Sequence, residues 1–362
     1  MILFSCGNKN GKKLFVKELK WLPEGFEKVD SANPVLSPKN NPLFFCPVTG
    51  SHLQWEAKDV FNPAAVIRND TLFLIYRAED NIGRYAGTSR LGLAWSIDGL
   101  NFTRHHSPVF YPMNDEQKIF EWPGGCEDPR IVRSETGNYF MTYTAYDGKT
   151  ARLMVASSPD LYKWTKHGPV FAKADSGKYI NTWCKSGSIV SHYEFGTPVA
   201  KKINGKYWMY GGDTFIWAAT SDDLINWTPI TDLSNDSAEP KFLKSIFGPR
   251  EKKFDSDLVE PGPPAMITEK GICLIYNGRN KKINGDTSLK EGTYSAGYVF
   301  LDKTDPTKVI ERSEDYFMTP DKPYEINGQV NNVCFVEGLV RYRNKWFLYY
   351  GTADSKVAVA MK

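Results

Sequence analysis

One short pattern recurs at nearly constant spacing and limits what this chain can fold into. Residues 94–102, 156–164 and 219–227 each carry a Ser, an Asp two residues later, and an aromatic ring at the end. Asp98, Asp160 and Asp223 lie 62 and 63 residues apart. An Asp that accepts backbone N–H groups fixes a turn, and a ring just beyond it is placed to pack between neighbouring sheets. A period of this size fits one supersecondary unit of four short strands with generous loops.

Five apolar or aromatic runs match that unit: residues 72–77, 139–143, 206–210, 271–276 and 345–350. Each follows a turn signal such as Asn69-Asp70, Asn204-Gly205 or Arg343-Asn344, and each is preceded by another apolar segment. Such pairs read as hairpins. No long helical periodicity competes. The 14% aromatic content suits β-structure. The expectation is an all-β chain, a five-bladed β-propeller, ahead of a pair of β-sandwiches. Residues 41–362 would form one catalytic propeller domain, and residues 1–40 an N-terminal segment wrapped on its outside.

The formal net charge of +3 is too small to point to nucleic acid or a membrane surface. No run of eighteen apolar residues could span a bilayer. Residues 1–8 look like the end of a lipoprotein signal, with Cys6 after a short apolar run. The expectation drawn from them is an exported, periplasmic or outer-membrane lipoprotein anchored at Cys6; without that anchor the protein would be cytoplasmic. The other five cysteines are scattered without C-x-x-C spacing, and the five histidines show no ligand-like pattern. No metal or cofactor is expected. Nothing in the sequence sets an oligomeric state.

In a propeller the innermost strands line a funnel at the axis. The starts of those strands carry Asn62, Glu127-Asp128, Lys185, Glu260 and Glu337, and their hairpin partners end in Arg77, Asp213, Asn277 and Asp354. Neighbouring Glu127 and Asp128 would face opposite sides of an extended backbone, one toward the pocket and the other toward Arg130. So many carboxylates in one low-dielectric place raise one another's pKa, which marks a functional set.

Asn62-Pro63, Tyr76-Arg77, Glu127-Asp128-Pro129-Arg130, Gly262-Pro263-Pro264, Tyr276-Asn277-Gly278, residues 331–335 and residues 350–354 resemble, in order, the motifs of glycoside hydrolase family 130. The resemblance covers the chain from about Asn33 onward. It implies a five-bladed propeller acting on a β-mannoside oligosaccharide, as a phosphorylase or a β-1,2-mannosidase. It places Asp128 on the family's acid, which protonates the glycosidic oxygen through a sugar hydroxyl. It also places Asn62, Arg77 and Asp354 around the mannosyl unit in the −1 subsite.

The chain departs from the phosphorylase pattern where a His-Arg pair helps bind phosphate. It reads Tyr210-Gly211-Gly212-Asp213 there, and it adds Glu260 and Glu337. Lys185 remains. Extra anions repel a phosphate dianion but suit the activation of water. The expectation is an inverting β-mannosidase for β-1,2 linkages, with Asp128 as acid and Glu260 or Glu337 as base. Either glutamate could instead be the acid, leaving Asp128 to bind sugar. Glu239 is a weaker candidate. The other readings are a phosphorylase releasing mannose 1-phosphate and a non-catalytic sugar-binding propeller.

Overall fold

A computed structural model describes residues 21–40, 43–82, 87–232 and 242–362. Cys6 and Glu239 lie outside the described residues. Within them the fold is all-β, interrupted by two four-residue helices, Lys118–Glu121 and Pro323–Ile326, and one 3-10 turn, Ala174–Gly177. No described helix is long and apolar enough to cross a membrane.

Besides the separate hairpin Phe44–Cys46 and Ser51–Leu53, most strands group into antiparallel units of four, two of which are joined in one 11-stranded sheet. The first is Asp59–Arg68, Thr71–Glu79, Arg90–Ser96 and Thr103–Arg104. The second is Gly125–Arg133, Tyr139–Tyr146, Ala151–Ser158 and Thr165–Pro169. The third is Ser188–Ile189, Lys206–Gly211, Trp217–Ser221 and Trp227–Pro229. The fourth is Leu258–Pro261, Ile272–Arg279, Tyr294–Leu301 and Val309–Arg312. The hairpin Ser191–Glu194 and Thr197–Ala200 ties the second unit to the fourth through two single parallel pairs, Val199 with Arg133 and Ser191 with Met266.

The fifth unit draws on both ends of the described chain. Cys334–Tyr342, Lys345–Thr352 and Lys356–Met361 are followed by Glu27–Lys28, which pairs with Met361 and Ala360. The N-terminal stretch therefore supplies an outer strand.

Burial follows the same order. Val66 and Leu91 of the first unit pack with Tyr143 and Met154 of the second. Val132 and Leu153 of the second meet Met209 and Trp217 of the third. Tyr210 and Ile216 of the third meet Leu274 and Val299 of the fourth. Ile275 and Phe300 of the fourth meet Leu348 and Tyr350 of the fifth, and Tyr349 and Val359 of the fifth meet Leu74 and Tyr76 of the first. Each sheet hides its apolar faces only by having a neighbour on both sides, so the cores run cyclically.

The recurring turns are built as their spacing implies. Asp98 Oδ1 accepts the N–H groups of Leu100 and Asn101, each at 2.8 Å, while Ser96 Oγ accepts that of Gly99 at 2.8 Å. Asp160 and Asp223 repeat this with Tyr162 and Lys163, and with Ile225 and Asn226. The Trp164 and Trp227 indoles close the later two turns onto the Leu161 and Leu224 carbonyls.

A second device, unnoticed in the sequence, repeats in four units. A tyrosine on the second strand donates to a buried carboxylate from the segment before the first strand, and that carboxylate pairs with a cation on the fourth strand. The sets are Tyr76, Glu56 and Arg104; Tyr143, Glu121 and Lys166; Tyr276, Asp255 and Arg312; and Tyr350, Glu325 and Lys28. All four carboxylates are fully buried. The strand Glu27–Lys28 thus brings the fifth unit its cation. In the third unit Tyr210 donates instead to the Pro306 carbonyl at 2.8 Å, and Trp227–Pro229 has no basic residue.

Candidate active site

The first strands of three units are broken at equivalent places by β-bulges. The register slips between Phe61 and Pro63, between Glu127 and Arg130, and between Val336 and Gly338. The residues in the slips include Asn62, Asp128 and Glu337. A bulge leaves its extra residue outside the ladder and re-aims its side chain. Asn62 and Asp128 adopt left-handed backbone, with φ of 46° and 49°, and Ser186 does so in the third unit with φ of 58°. Asn and Asp tolerate that region better than most residues. Gly351 leaves room for the first bulge, since a Cβ there would lie 2.2 Å from Asn62 Oδ1.

Of these, Asn62 and Asp128 meet Arg77, Lys185, Glu260 and Asp354 in one pocket of about 180 Å³. Asn62 Nδ2 donates to Asp128 Oδ1 at 2.9 Å, and Arg77 Nη1 reaches the same oxygen at 3.2 Å. Arg77 is itself fixed by Glu79 at 2.7 Å, Glu127 at 3.1 Å and Ser89 Oγ at 3.0 Å. Burial works against charge on Asp128, but Arg77, Lys185, the Asn62 hydrogen bond and Arg130 outweigh it and hold the carboxyl below its usual range.

The other carboxyls shift the opposite way. Burial pushes Glu260 up to about 7 against the pull of Lys185 and Arg130, while Ser186 Oγ donates to its Oε1. Burial likewise lifts Asp354 to about 7, opposed by Arg77 and reinforced by Asp128. Glu337 is fully buried behind the pocket, 3.2 Å from Arg130, and neither of its oxygens accepts a hydrogen bond among the described residues. Burial drives its pKa well above the ordinary value; Arg130 opposes this, and Asp128 and Glu260 add to it.

The remaining predicted residues sit elsewhere. Arg130 does not line the pocket. It is buried, and its guanidinium binds the carbonyls of Asp128, Pro261 and Gly262, stitching the second unit to the fourth. Glu127 holds Arg77 from behind. Asn277, expected to bind substrate, instead exchanges two hydrogen bonds with the Val336 backbone, at 3.1 and 2.8 Å, beside the bulge that carries Glu337. Its side chain is committed to positioning. Asp213 lines an adjoining cleft and accepts the Trp183 indole N–H at 2.6 Å. Sequence reasoning passed over Arg279, Tyr294, Val330, Val333 and Phe335, which complete the pocket wall. Val333 and Phe335 stood in a quoted motif; Arg279 and Tyr294 carried no local signal.

A pocket of this kind can hold a neutral sugar by charged hydrogen bonds, with carboxyls in both protonation states around it. The family model described as beta-1,4-mannooligosaccharide phosphorylase, Glyco_hydro_130, matches residues 31–362. The chain belongs to glycoside hydrolase family 130. Among family 130 relatives, the 1,2-beta-oligomannan phosphorylase of Thermoanaerobacter sp. (strain X514) is 33% identical over 340 residues, covering 91% of this chain and 95% of that one. A glycosyl hydrolase from Bacteroides ovatus superposes with a TM-score of 0.88 at 48% identity, covering 95% of this chain and 96% of that one. A further family 130 structure superposes at 0.90 with 48% identity and the same coverage. It was described in work stating that the GH130 family of mannoside phosphorylases contains glycoside hydrolases that target beta-1,2 mannosidic linkages in Candida mannan.

Proposed function

We propose that this protein is a five-bladed β-propeller that hydrolyses β-mannosidic bonds, of the β-1,2 type, by single displacement with inversion. Five four-stranded units with cores running cyclically support the architecture. The linkage rests on the likeness, at 48% identity, to the structure associated with β-1,2-targeting hydrolases.

The balance of charge at the pocket carries the choice of water over phosphate. Glu260 lines the pocket and Glu337 backs it. Of the lining cations, Arg77 is tied to three carboxylates and Arg279 to Asp257. Lys185 alone has no ion pair among the described residues. One uncommitted ammonium facing several carboxyls is a poor cradle for a dianion, whereas a water molecule needs a carboxylate to orient and deprotonate it.

Asp128 takes the acid role and Glu260, backed by Glu337, the base role. The free site has the proton on the other partner, because Asp128 is held ionised and Glu260 titrates at about 7. Sugar filling the pocket removes the last water from Asp128 and raises its affinity for a proton. Glu260 then passes its proton across through the sugar hydroxyls, which leaves an acid at Asp128 and a base at Glu260. Hydrolysis then needs the pair to carry one proton between them.

The test is cleavage of β-1,2-mannobiose with and without phosphate, with the products identified. Release of mannose in plain buffer, unchanged by phosphate, is expected. Mannose 1-phosphate formed only when phosphate is supplied would establish the phosphorylase reading, which the 33% identical Thermoanaerobacter enzyme favours. Asp128→Asn should recover turnover on an aryl mannoside whose leaving group needs no proton. Recovery by Glu260→Gln instead would hand the acid role to Glu260.

A further inference from the structure

A second cleft, of about 500 Å³, adjoins the pocket on the side of the third unit. Its floor is the segment between the second and third units, which runs from the turn Ala174–Gly177 to Lys185. Trp183 projects from that segment and is 44% exposed. Among the described residues no other tryptophan is as open to solvent.

Trp183 is also held still. Its Nε1 donates to Asp213 Oδ2 at 2.6 Å, and the Gly212 N–H next to Asp213 binds the Lys185 carbonyl at 3.0 Å. Opposite, Phe242 stacks on Tyr179 at 4.3 Å between centroids, and Asn181 and Thr182 supply amide and hydroxyl groups at the rim. The cleft therefore pairs a fixed aromatic ring with hydrogen-bonding groups, neutral at Asn181, Thr182 and Thr214 and charged at Lys178 and Asp213. Pyranose rings present just such a surface, an apolar C–H face edged by hydroxyls. An aromatic ring held in place offers that face contact at little entropic cost.

We infer that this cleft, with Trp183 as its platform, binds sugar units of the oligosaccharide beyond the one held in the Asn62–Asp128 pocket. This inference rests on the proposed action on β-mannosides. Trp183 stands two residues before Lys185, which lines the pocket, and Gly212 beside Asp213 is bonded to the Lys185 carbonyl, so the cleft flanks the pocket and a chain leaving one can reach the Trp183 ring. Substrate length is then read at Trp183, and the bond-breaking groups do not sense it.

Trp183→Ala and Trp183→Phe, compared on an aryl β-mannoside, β-1,2-mannobiose and β-1,2-mannotetraose, test this. Trp183→Ala should raise KM for the tetraose about tenfold, the worth of one stacked ring. The tetraose kcat should stay within about twofold, and the aryl mannoside KM should be unmoved. Trp183→Phe should recover part of the loss. Equal loss on all three substrates, or none on the tetraose, would overturn the inference while leaving the proposed hydrolysis intact. Should the wild type cleave no mannoside, the reading of function falls first. Quenching of tryptophan fluorescence by mannotetraose, present in wild type and weakened in Trp183→Phe, then decides the platform alone, and its absence rejects it.

Discussion

The molecule buries carboxylates in two places and treats them differently. At the periphery Glu56, Glu121, Asp255 and Glu325 are each met by a tyrosine hydroxyl and a cation. At the axis, Glu337 has Arg130 alone and accepts no hydrogen bond among the described residues, while Asn62 Oδ1 is likewise unpartnered. Leaving a buried acceptor unsatisfied costs about 1–3 kcal/mol, more when it is charged. The peripheral carboxylates avoid that cost and hold strands together; Glu337 and the Asn62 amide oxygen bear it, while Asp128 and Glu260 keep hydrogen bonds and face the pocket. Burial alone does not separate structure from function in this chain.

The sharpest way to break that comparison is to remove charge at the axis while keeping shape. Glu260→Gln or Glu337→Gln should lower hydrolysis by about 10²–10⁴-fold, and substrate affinity measured by calorimetry should fall far less. A variant that keeps near-normal turnover in both cases would remove the base assignment. The same change at the periphery should do the reverse. Lys28→Ala strands the buried Glu325 and should cost about 3–5 kcal/mol of stability, read as a lowered midpoint in urea. Turnover at low temperature should survive it. If Lys28→Ala slowed the reaction but left the midpoint alone, the two classes would not be distinct.

The legibility of the molecule follows the same divide. The five units and the Ser-Asp turns could be read because each rests on contacts a few residues apart, such as Asp98 with Leu100 and Asn101. The axial set could be read because the unit repeats, so equivalent strand starts pointed to Asn62, Asp128, Glu260 and Glu337. The tyrosine sets could not, although their four tyrosines stood at or near the ends of the apolar runs, because their acids come from the segments before the first strands and their cations from the fourth strands. Asn277 misled for the same reason: its partner is Val336, 59 residues away. Arg279 and Tyr294 were missed because the fourth unit turns them inward, which no local pattern announces.

Acidity sharpens the contrast further. Catalysis by a pair sharing one proton predicts that kcat/KM declines as pH rises through about 7, where Glu260 in the free protein gives up its proton. An Asp354→Asn variant should keep that limb. A profile that climbs through 7 would show that Glu260 must start ionised, and would sink proton sharing. Stability should also respond. Glu260 has its pKa raised by folding, so the native state binds the extra proton between the unfolded value and about 7 and loses stability as pH rises across that window. Glu260→Gln should therefore gain midpoint relative to wild type between pH 5 and pH 8. The smallest effect is expected at the turns. Asp98→Ala gives up two backbone hydrogen bonds near the surface and should cost about 1 kcal/mol, with unchanged kinetics.

The strand Glu27–Lys28 has a consequence for how the protein comes into being. Lys28 leaves the ribosome early, yet its buried partner Glu325 lies 297 residues later, and Met361 and Ala360 later still. The first unit's inner face waits on the fifth for the same reason. Contacts of such sequence separation cannot form until the fifth unit has emerged, so the first and fourth units each lack one neighbour until then. The nascent protein carries an unfinished edge until Glu27–Lys28 meets Lys356–Met361.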